Sequence, residues 1–205
     1  FDVDLWSKRI DDLQLSLEGT PALSSADEIS LIPKLIAIRA DELVIGGKRW
    51  EKVVAGATRE ADVWQINMDA TQISGYATWK QGGRSGLGRV SGKLARLIIP
   101  QSQREELSNL LQAQDNSSSL RALPGFDLTV DEFELSGKKL GKLEIVANNT
   151  KTSWQLEKLM LSNAESKLSA TGDWLRATGR GVRTMTMNFS LQITDAGKLL
   201  NRLGL

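Results

Sequence analysis

Apolar and polar residues alternate along much of this chain. Met185, Met187, Phe189, Leu191 and Ile193 are apolar, and Thr186, Asn188, Ser190 and Gln192 between them are polar. Successive side chains of an extended strand point to opposite faces, so this segment predicts a strand with one dry and one wet face. Leu13, Leu15 and Leu17 alternate with Gln14 and Ser16 in the same way. So do Trp64, Ile66 and Met68 with Gln65 and Asn67, and Leu143 and Ile145 with Lys142 and Glu144. The pairs Gly46-Gly47, Ser136-Gly137 and Asn148-Asn149, and the run GGRSGLG at Gly82–Gly88, break the pattern where hairpin turns are wanted.

Helical periodicity is scarce. Ser102 lies three residues before Glu105, a capping-box spacing, and Leu107, Leu110 and Leu111 then form one apolar stripe. This predicts a short helix near Ser102–Gln114, followed by the polar linker DNSSS at Asp115–Ser119. A second helix is predicted at Asp195–Leu203, with Asp195 as its cap, Leu199, Leu200 and Leu203 as its apolar side and Gly204 at its end.

The strand patterns come in two sets. DELVIGGKRWEKVVA at Asp41–Ala55 is echoed by DEFELSGKKLGKLEI at Asp131–Ile145, an offset of 90 (131 − 41). Trp64-Gln65 and Trp154-Gln155 share that offset, and Trp79 and Trp174 correspond after a small insertion. Ordered matches of this kind predict a tandem duplication. The expected organisation is a first β unit over 1–100, a helix and linker over 101–122, and a second β unit with the C-terminal helix over 123–205. Each unit reads as a meander of about five or six strands, by ordinary strand and turn lengths.

The totals exclude more than they assign. The chain has 205 residues, with 26 basic and 25 acidic, for a net charge of +1. Nucleic-acid binding needs clustered Lys and Arg, which this balance does not offer. There is no Cys and no His, so thiolate and imidazole chemistry are both missing. Asp41-Glu42 and Asp131-Glu132 are adjacent on strands, point to opposite faces and cannot act as one acid–base pair; charge guarding a hairpin edge is the expected role. GGRSGLG lacks the strand–loop–helix setting of a phosphate cradle. The Asn148-Asn149-Thr150 sequon is a weak pattern without a secretory context. No nucleophile–base pair emerges, so no enzyme, cofactor or metal is expected. The chain begins at Phe1 without Met or any apolar run long enough to span a bilayer, which reads as a fragment or mature piece.

A sheet with one apolar face must cover it with a second sheet, with helices, or with an apolar ligand. Repeated units would extend such a face along one axis, and a long apolar trough suits an acyl chain. Six Trp residues admit a sugar-binding platform, but their alternating positions favour burial on the dry face.

Three stretches carry a resemblance: LPGFDLTVDEFELSGKKLGKLEI, WQLEKLMLSNAESKLSATGDW and DAGKLLNRLG. Their order from Leu123 to Gly204 resembles the C-terminal part of the YhdP/AsmA-like family of Gram-negative bacteria; Ile32 to Ile99 matches more loosely. The resemblance implies a mainly β fold, a long curved antiparallel sheet forming a U-shaped groove of two tandem units with two short helices. It further implies a periplasmic segment of a protein anchored in the inner membrane, the anchor lying outside this chain, which carries phospholipid towards the outer membrane. Envelope proteins of either membrane would be its partners, and no catalytic residues transfer. The groove wall is expected from Met185, Met187, Phe189, Leu191 and Ile193 with Leu143, Ile145, Trp154 and Leu156, and from Trp64, Ile66 and Met68. The alternative is a non-catalytic periplasmic scaffold or protein-binding module with a dry, closed core.

Overall fold

A computed structural model describes residues 34–45, 48–82, 88–101, 124–150, 153–175 and 184–205. The predicted strand at Leu13–Leu17, the turn at Gly46-Gly47, the helix at Ser102–Gln114 and the linker at Asp115–Ser119 lie outside these residues, as do the middle of GGRSGLG and Trp6.

The described residues form one sheet of ten strands in sequence order. They are β1 (Leu35–Ile45), β2 (Lys48–Glu60), β3 (Val63–Asp69), β4 (Ile73–Lys80), β5 (Arg89–Ile99), β6 (Gly125–Leu135), β7 (Lys138–Asn149), β8 (Ser153–Ser162), β9 (Ser166–Leu175) and β10 (Thr184–Ile193). One helix, α1 (Ala196–Leu203), follows. The mainly β expectation holds. The expectation of an antiparallel sheet needs one correction, because β5 and β6 run parallel, in register from Arg89–Gly125 to Ile99–Leu135. A parallel pair cannot be joined by a hairpin and needs a crossover of about a dozen residues or more; here 25 residues separate Ile99 from Gly125. The sheet is therefore two antiparallel five-stranded meanders joined along a parallel seam. Strands β6, β7 and β8 begin 90 residues after β1, β2 and β3 (125 − 35, 138 − 48, 153 − 63), and β10 begins 95 after β5 (184 − 89).

Local chemistry explains the turns. Ser136 and Gly137 both have positive φ, 53° and 77°, which is the backbone of a two-residue type I′ hairpin between β6 and β7. Asn148 and Asn149, read as a turn, instead end β7. The reversal comes later, where the Thr150 hydroxyl accepts from Ser153 N at 3.0 Å and the Thr150 backbone N–H donates to Ser153 O at 2.8 Å.

The edge role expected of the Asp-Glu pairs does not fit Asp131-Glu132. Glu132 lies on β6, an interior strand, so edge protection does not explain it. In both first hairpins the pair sits where the ladder is irregular. The β6–β7 register jumps from Val130–Leu143 to Phe133–Gly141, with Gly141 at φ 98°. The β1–β2 register passes from Ala40–Val53 to Glu42–Glu51, with Lys52 at φ 53°. Across each irregularity the dry positions change parity: Ile36, Ile38 and Ala40 give way to Leu43, and Leu128 and Val130 give way to Phe133. In β1–β2 the register is the same on both sides of the break, so both strands re-aim together, and in β6–β7 the slip at Val130/Phe133 is reversed at Phe133/Glu134.

Helix α1 matches its predicted bounds and caps. Asp195 Oδ1 accepts from Lys198 N at 2.9 Å, and Gly204, at φ 74°, closes the other end with its N–H on Asn201 O. Arg202 ties the helix to the strand ends. It donates from Nε and Nη2 to Glu165 at 2.8 and 2.9 Å, and from Nη1 to the Lys139 carbonyl at 3.1 Å. The hydrogen bonds from Arg202, more than its charge alone, hold the Glu165 carboxyl below its usual range.

Gly137 and Gly141 separate two costs of a side chain at positive φ. A Cβ on Gly137 would meet nothing within 4 Å, whereas one on Gly141 would lie 2.3 Å from Ser162 O. Gly137→Ala is expected to lose about 1 kcal/mol, the backbone term alone, and Gly141→Ala about 3 kcal/mol or more. Urea unfolding midpoints check this, and equal losses would contradict the close approach of β7 to β8 at Gly141.

Candidate functional site

The register assembles one continuous apolar face. Cross-strand partners share a face, so following them from strand to strand traces rows across the sheet. One row runs Phe189, Ala170, Leu159, Ile145, Leu128, Gly92, Ala77, Ile66, Ala57, Ile36. The next runs Leu191, Leu168, Leu161, Leu143, Val130, Leu94, Gly75, Met68, Ala55, Ile38. Both cross all ten strands with no polar side chain. A third runs Met187, Gly172, Leu156, Ala147, Phe126, Val90, Trp79, Trp64 and ends at Arg59. The Arg59 guanidinium lies 5.9 Å from the Trp64 ring, a cation–π contact that lets a cation end the row.

Every residue expected in the groove wall lies on this face. Met187, Leu156 and Trp64 share one row, Phe189, Ile145 and Ile66 the second, and Leu191, Leu143 and Met68 the third. Met185 pairs with Trp174, which pairs with Trp154, and Ile193 pairs with Ser166. The face holds more than these. Leu159 and Leu161 were missed because β8 bulges between Leu156 and Leu159, and strict alternation from Trp154 would place Lys158 and Met160 there instead. Leu168, Phe126 and Val90 follow from pairing alone. Trp79 and Trp174, visible as repeat markers, carried the signal that could have found them.

Lateral packing buries part of this face. Ala147, Trp154, Leu156 and Trp174 form one buried cluster, with Phe126, Ile145 and Leu159 against it. Trp154 meets Trp174 edge-to-face at 5.1 Å and Phe126 at 6.5 Å. Leu43, Val53 and Ala70 form a second cluster in the first meander. Trp154 Nε1 donates to the Pro124 carbonyl at 3.1 Å, whereas Trp174 Nε1 is buried with no partner. On β10, by contrast, Met185 is 57% exposed and Phe189 75%. Among the described residues no second layer covers the face.

The opposite face is wet. One of its rows runs Ser190, Ser169, Met160, Glu144, Thr129, Lys93, Tyr76, Asn67. Glu144 accepts from Lys142 at 2.8 Å and Lys158 at 2.6 Å, and these two bonds hold its carboxyl down from 4.5 to about 2. Across the seam, Arg89 approaches Asp127 at 3.9 Å and Lys93 approaches Asp131 at 3.8 Å. Arg89 also donates to Asn148 Oδ1 at 2.7 Å. No group of three or more potential metal ligands occurs among the described residues, and no described helix is long and apolar enough to cross a membrane.

The family model described as YhdP protein matches residues 1–205, the whole chain. No curated protein and no solved structure matches. The chain belongs to the YhdP family.

The wet-face cluster gives a pH test. A carboxyl whose folded pKa is depressed adds stability above its unfolded pKa and loses it as pH falls through the folded one. Glu144→Gln should therefore lower stability at neutral pH, by under about 1 kcal/mol for an exposed pair. The gap from the parent should close as pH falls from 4.5 towards about 2. Urea midpoints over that range check it, and a gap that widened on acidification would contradict the pairing.

Proposed function

With membership of the YhdP family as the premise, we propose that this chain is a periplasmic segment of an inner-membrane-anchored lipid-transfer protein, and that its apolar face carries phospholipid acyl chains towards the outer membrane. One observation carries the reading: two rows of apolar side chains and glycines cross ten strands without interruption. At about 4.8 Å per strand, nine inter-strand steps make a track of roughly 43 Å along the sheet. We read the two meanders as copies of one unit, over 1–100 and 123–205, curved so that the dry rows line a groove. Phospholipid is the ligand, and envelope proteins at either membrane are the partners.

The mechanism is passive. Each methylene moved from water onto the dry face is worth about 0.8 kcal/mol, so a two-chain lipid would not leave readily for water. Sliding along continuous rows avoids that cost, while the headgroup stays at the wet rim. No covalent step is involved, and Met185, Met187, Phe189, Leu191, Ile193, Leu143, Ile145, Trp154, Leu156, Trp64, Ile66 and Met68 act only as wall.

The rival scaffold reading needs a dry core, and substitution on β10 separates the two. Met187 is 42% exposed and Phe189 75%. Replacing both with Asp should leave the chain folded, within about 1 kcal/mol of the parent, because the carboxylates reach water. The same variant in the full-length protein should fail to support lipid supply to the outer membrane. Photo-crosslinkers at 187 and 189 should capture lipid, and those at 188 and 190 should not. Loss of the folded protein would favour the closed scaffold; equal capture at both parities, or full envelope function in the folded variant, would reject the path.

A further inference from the structure

We propose that Arg59 holds the phosphate of a bound phospholipid, which fixes the rim of the dry face that carries the headgroup. This rests on the lipid-carrying reading above and adds to it a site and a direction.

The dry face is furrowed along β2. Ala57 and Ala55 lie between Ile36 and Ile38 on β1 and Ile66 and Met68 on β3. The walls stand two strands apart, about 10 Å. From Arg59 to Val53 the furrow runs six residues (59 − 53), about 20 Å. Its two ends differ. Val53 is fully buried in the apolar cluster with Leu43 and Ala70. Arg59 stands at the other end, the last dry strand position before the turn at Ala61 and Asp62. Thr58 and Glu60, on either side of it, are exposed on the wet face. An amphiphile in this furrow meets hydrocarbon at one end and a guanidinium at the other. It therefore lies one way round, with its tail towards Val53 and its phosphate on Arg59.

The Arg59 side chain is set up for an anion. Its Nε donates to the Ala61 carbonyl at 3.1 Å, and its guanidinium lies 5.9 Å from the Trp64 ring. These contacts orient the group and leave Nη1 and Nη2 without a hydrogen-bond partner among the described residues. Arg49, Arg89, Arg96 and Arg202 each lie within 4.0 Å of a carboxylate. Arg59 has no such carboxylate among the described residues. A guanidinium fork matches phosphate oxygens two at a time. Trp64 and Trp79, next along the same row, place amphipathic rings where a lipid changes from tail to headgroup.

In the second meander the charge and the furrow are lost together. Ninety residues on (149 − 59), Asn149 stands opposite Trp154 as Arg59 stands opposite Trp64. Ile145 takes the floor position of Ala55 (145 − 55). Trp154 is buried there, with its Nε1 on the Pro124 carbonyl. Where the furrow is filled, the cation is absent.

The test titrates the purified chain with three soluble probes. They are dihexanoylphosphatidylglycerol below its micelle concentration, dihexanoylglycerol, which lacks the phosphate, and inorganic phosphate. Calorimetry should show the phospholipid bound most tightly. Arg59→Gln should weaken it by about tenfold and leave dihexanoylglycerol unchanged, with the same circular dichroism spectrum and urea midpoint. Ala57→Leu, which fills the furrow and keeps the cation, should weaken both lipids alike. If the parent binds neither lipid, the lipid-carrying reading falls and this site with it. If both lipids bind and Arg59→Gln holds the phospholipid as the parent does, or loses both lipids equally, the lipid-carrying reading stands and the phosphate site is overturned. Arg59-dependent binding of inorganic phosphate, with phospholipid binding independent of Arg59, would mark a site for the free ion and overturn it as well.

Discussion

The structure depends on keeping one side-chain parity through ten strands. A slip of one residue at any pairing would turn a whole strand's apolar set into water. Hairpins fix register where a short turn joins neighbours, as Ser136-Gly137 does between β6 and β7. The seam between β5 and β6 has no such turn. There the match is made by Val90–Phe126, Gly92–Leu128 and Leu94–Val130 on the dry face, and by Arg89–Asp127 and Lys93–Asp131 on the wet face. Each exposed ion pair is worth less than about 1 kcal/mol. Both use the same diagonal, though, so one slip breaks both while exposing the dry rows. Their contribution is to select the register more than to strengthen it.

A single layer of sheet buries residues only against neighbours on the same face. Val130 reaches near-complete burial between Leu94 and Leu143 on the strands to either side, and Leu43 and Val53 do so in the cluster with Trp50, Met68, Ala70 and Ile73. Trp154 and Trp174 do so by stacking edge-to-face between Phe126 and Leu156. Among the described residues β10 has a neighbouring strand on one side only, and Phe189 on it is exposed while its partner Ala170 is buried.

What was legible in the sequence was local. Alternation in β10, the caps of α1 at Asp195 and Gly204, and the Ser136-Gly137 turn each rest on a few adjacent residues and could be read directly. The residues expected in the groove wall share one face of the sheet, and Trp154, Leu156, Leu143 and Ile145 among them sit in short alternating runs. Leu159 and Leu161 were hidden by the β8 bulge, since a period-two reading cannot see an inserted residue. The Asp-Glu pairs read as a repeat, but the breaks beside them depend on the facing strand, with Lys52 at positive φ in one hairpin and Gly141, paired with Phe133, in the other. The parallel seam was illegible for a related reason: pairing across 25 residues leaves no mark in either strand.

The relief of the dry face bears on what can cover it. Its middle rows are uneven across the first meander, where the small Ala55, Ala57, Gly75, Ala77 and Gly92 stand among Ile36, Ile38, Ile66, Met68 and Leu94. They are tall across the second, where Leu128, Leu143, Ile145, Leu159, Leu161 and Leu168 stand. The glycines are fixed by chain geometry, because a Cβ on Gly75 or Gly92 would lie 2.5 or 2.4 Å from a backbone oxygen of the adjacent strand. They were not placed there to fit an opposing side chain. A protein layer packs at crystal-like density and needs bumps that answer each hollow, because even a small gap forfeits much of the dispersion contact. Flexible hydrocarbon fills an uneven floor without a dedicated partner for each depression. A face that is apolar throughout but uneven in height therefore suits a chain-like, conformationally free occupant better than a rigid second sheet, and this favours acyl chains over a closed core.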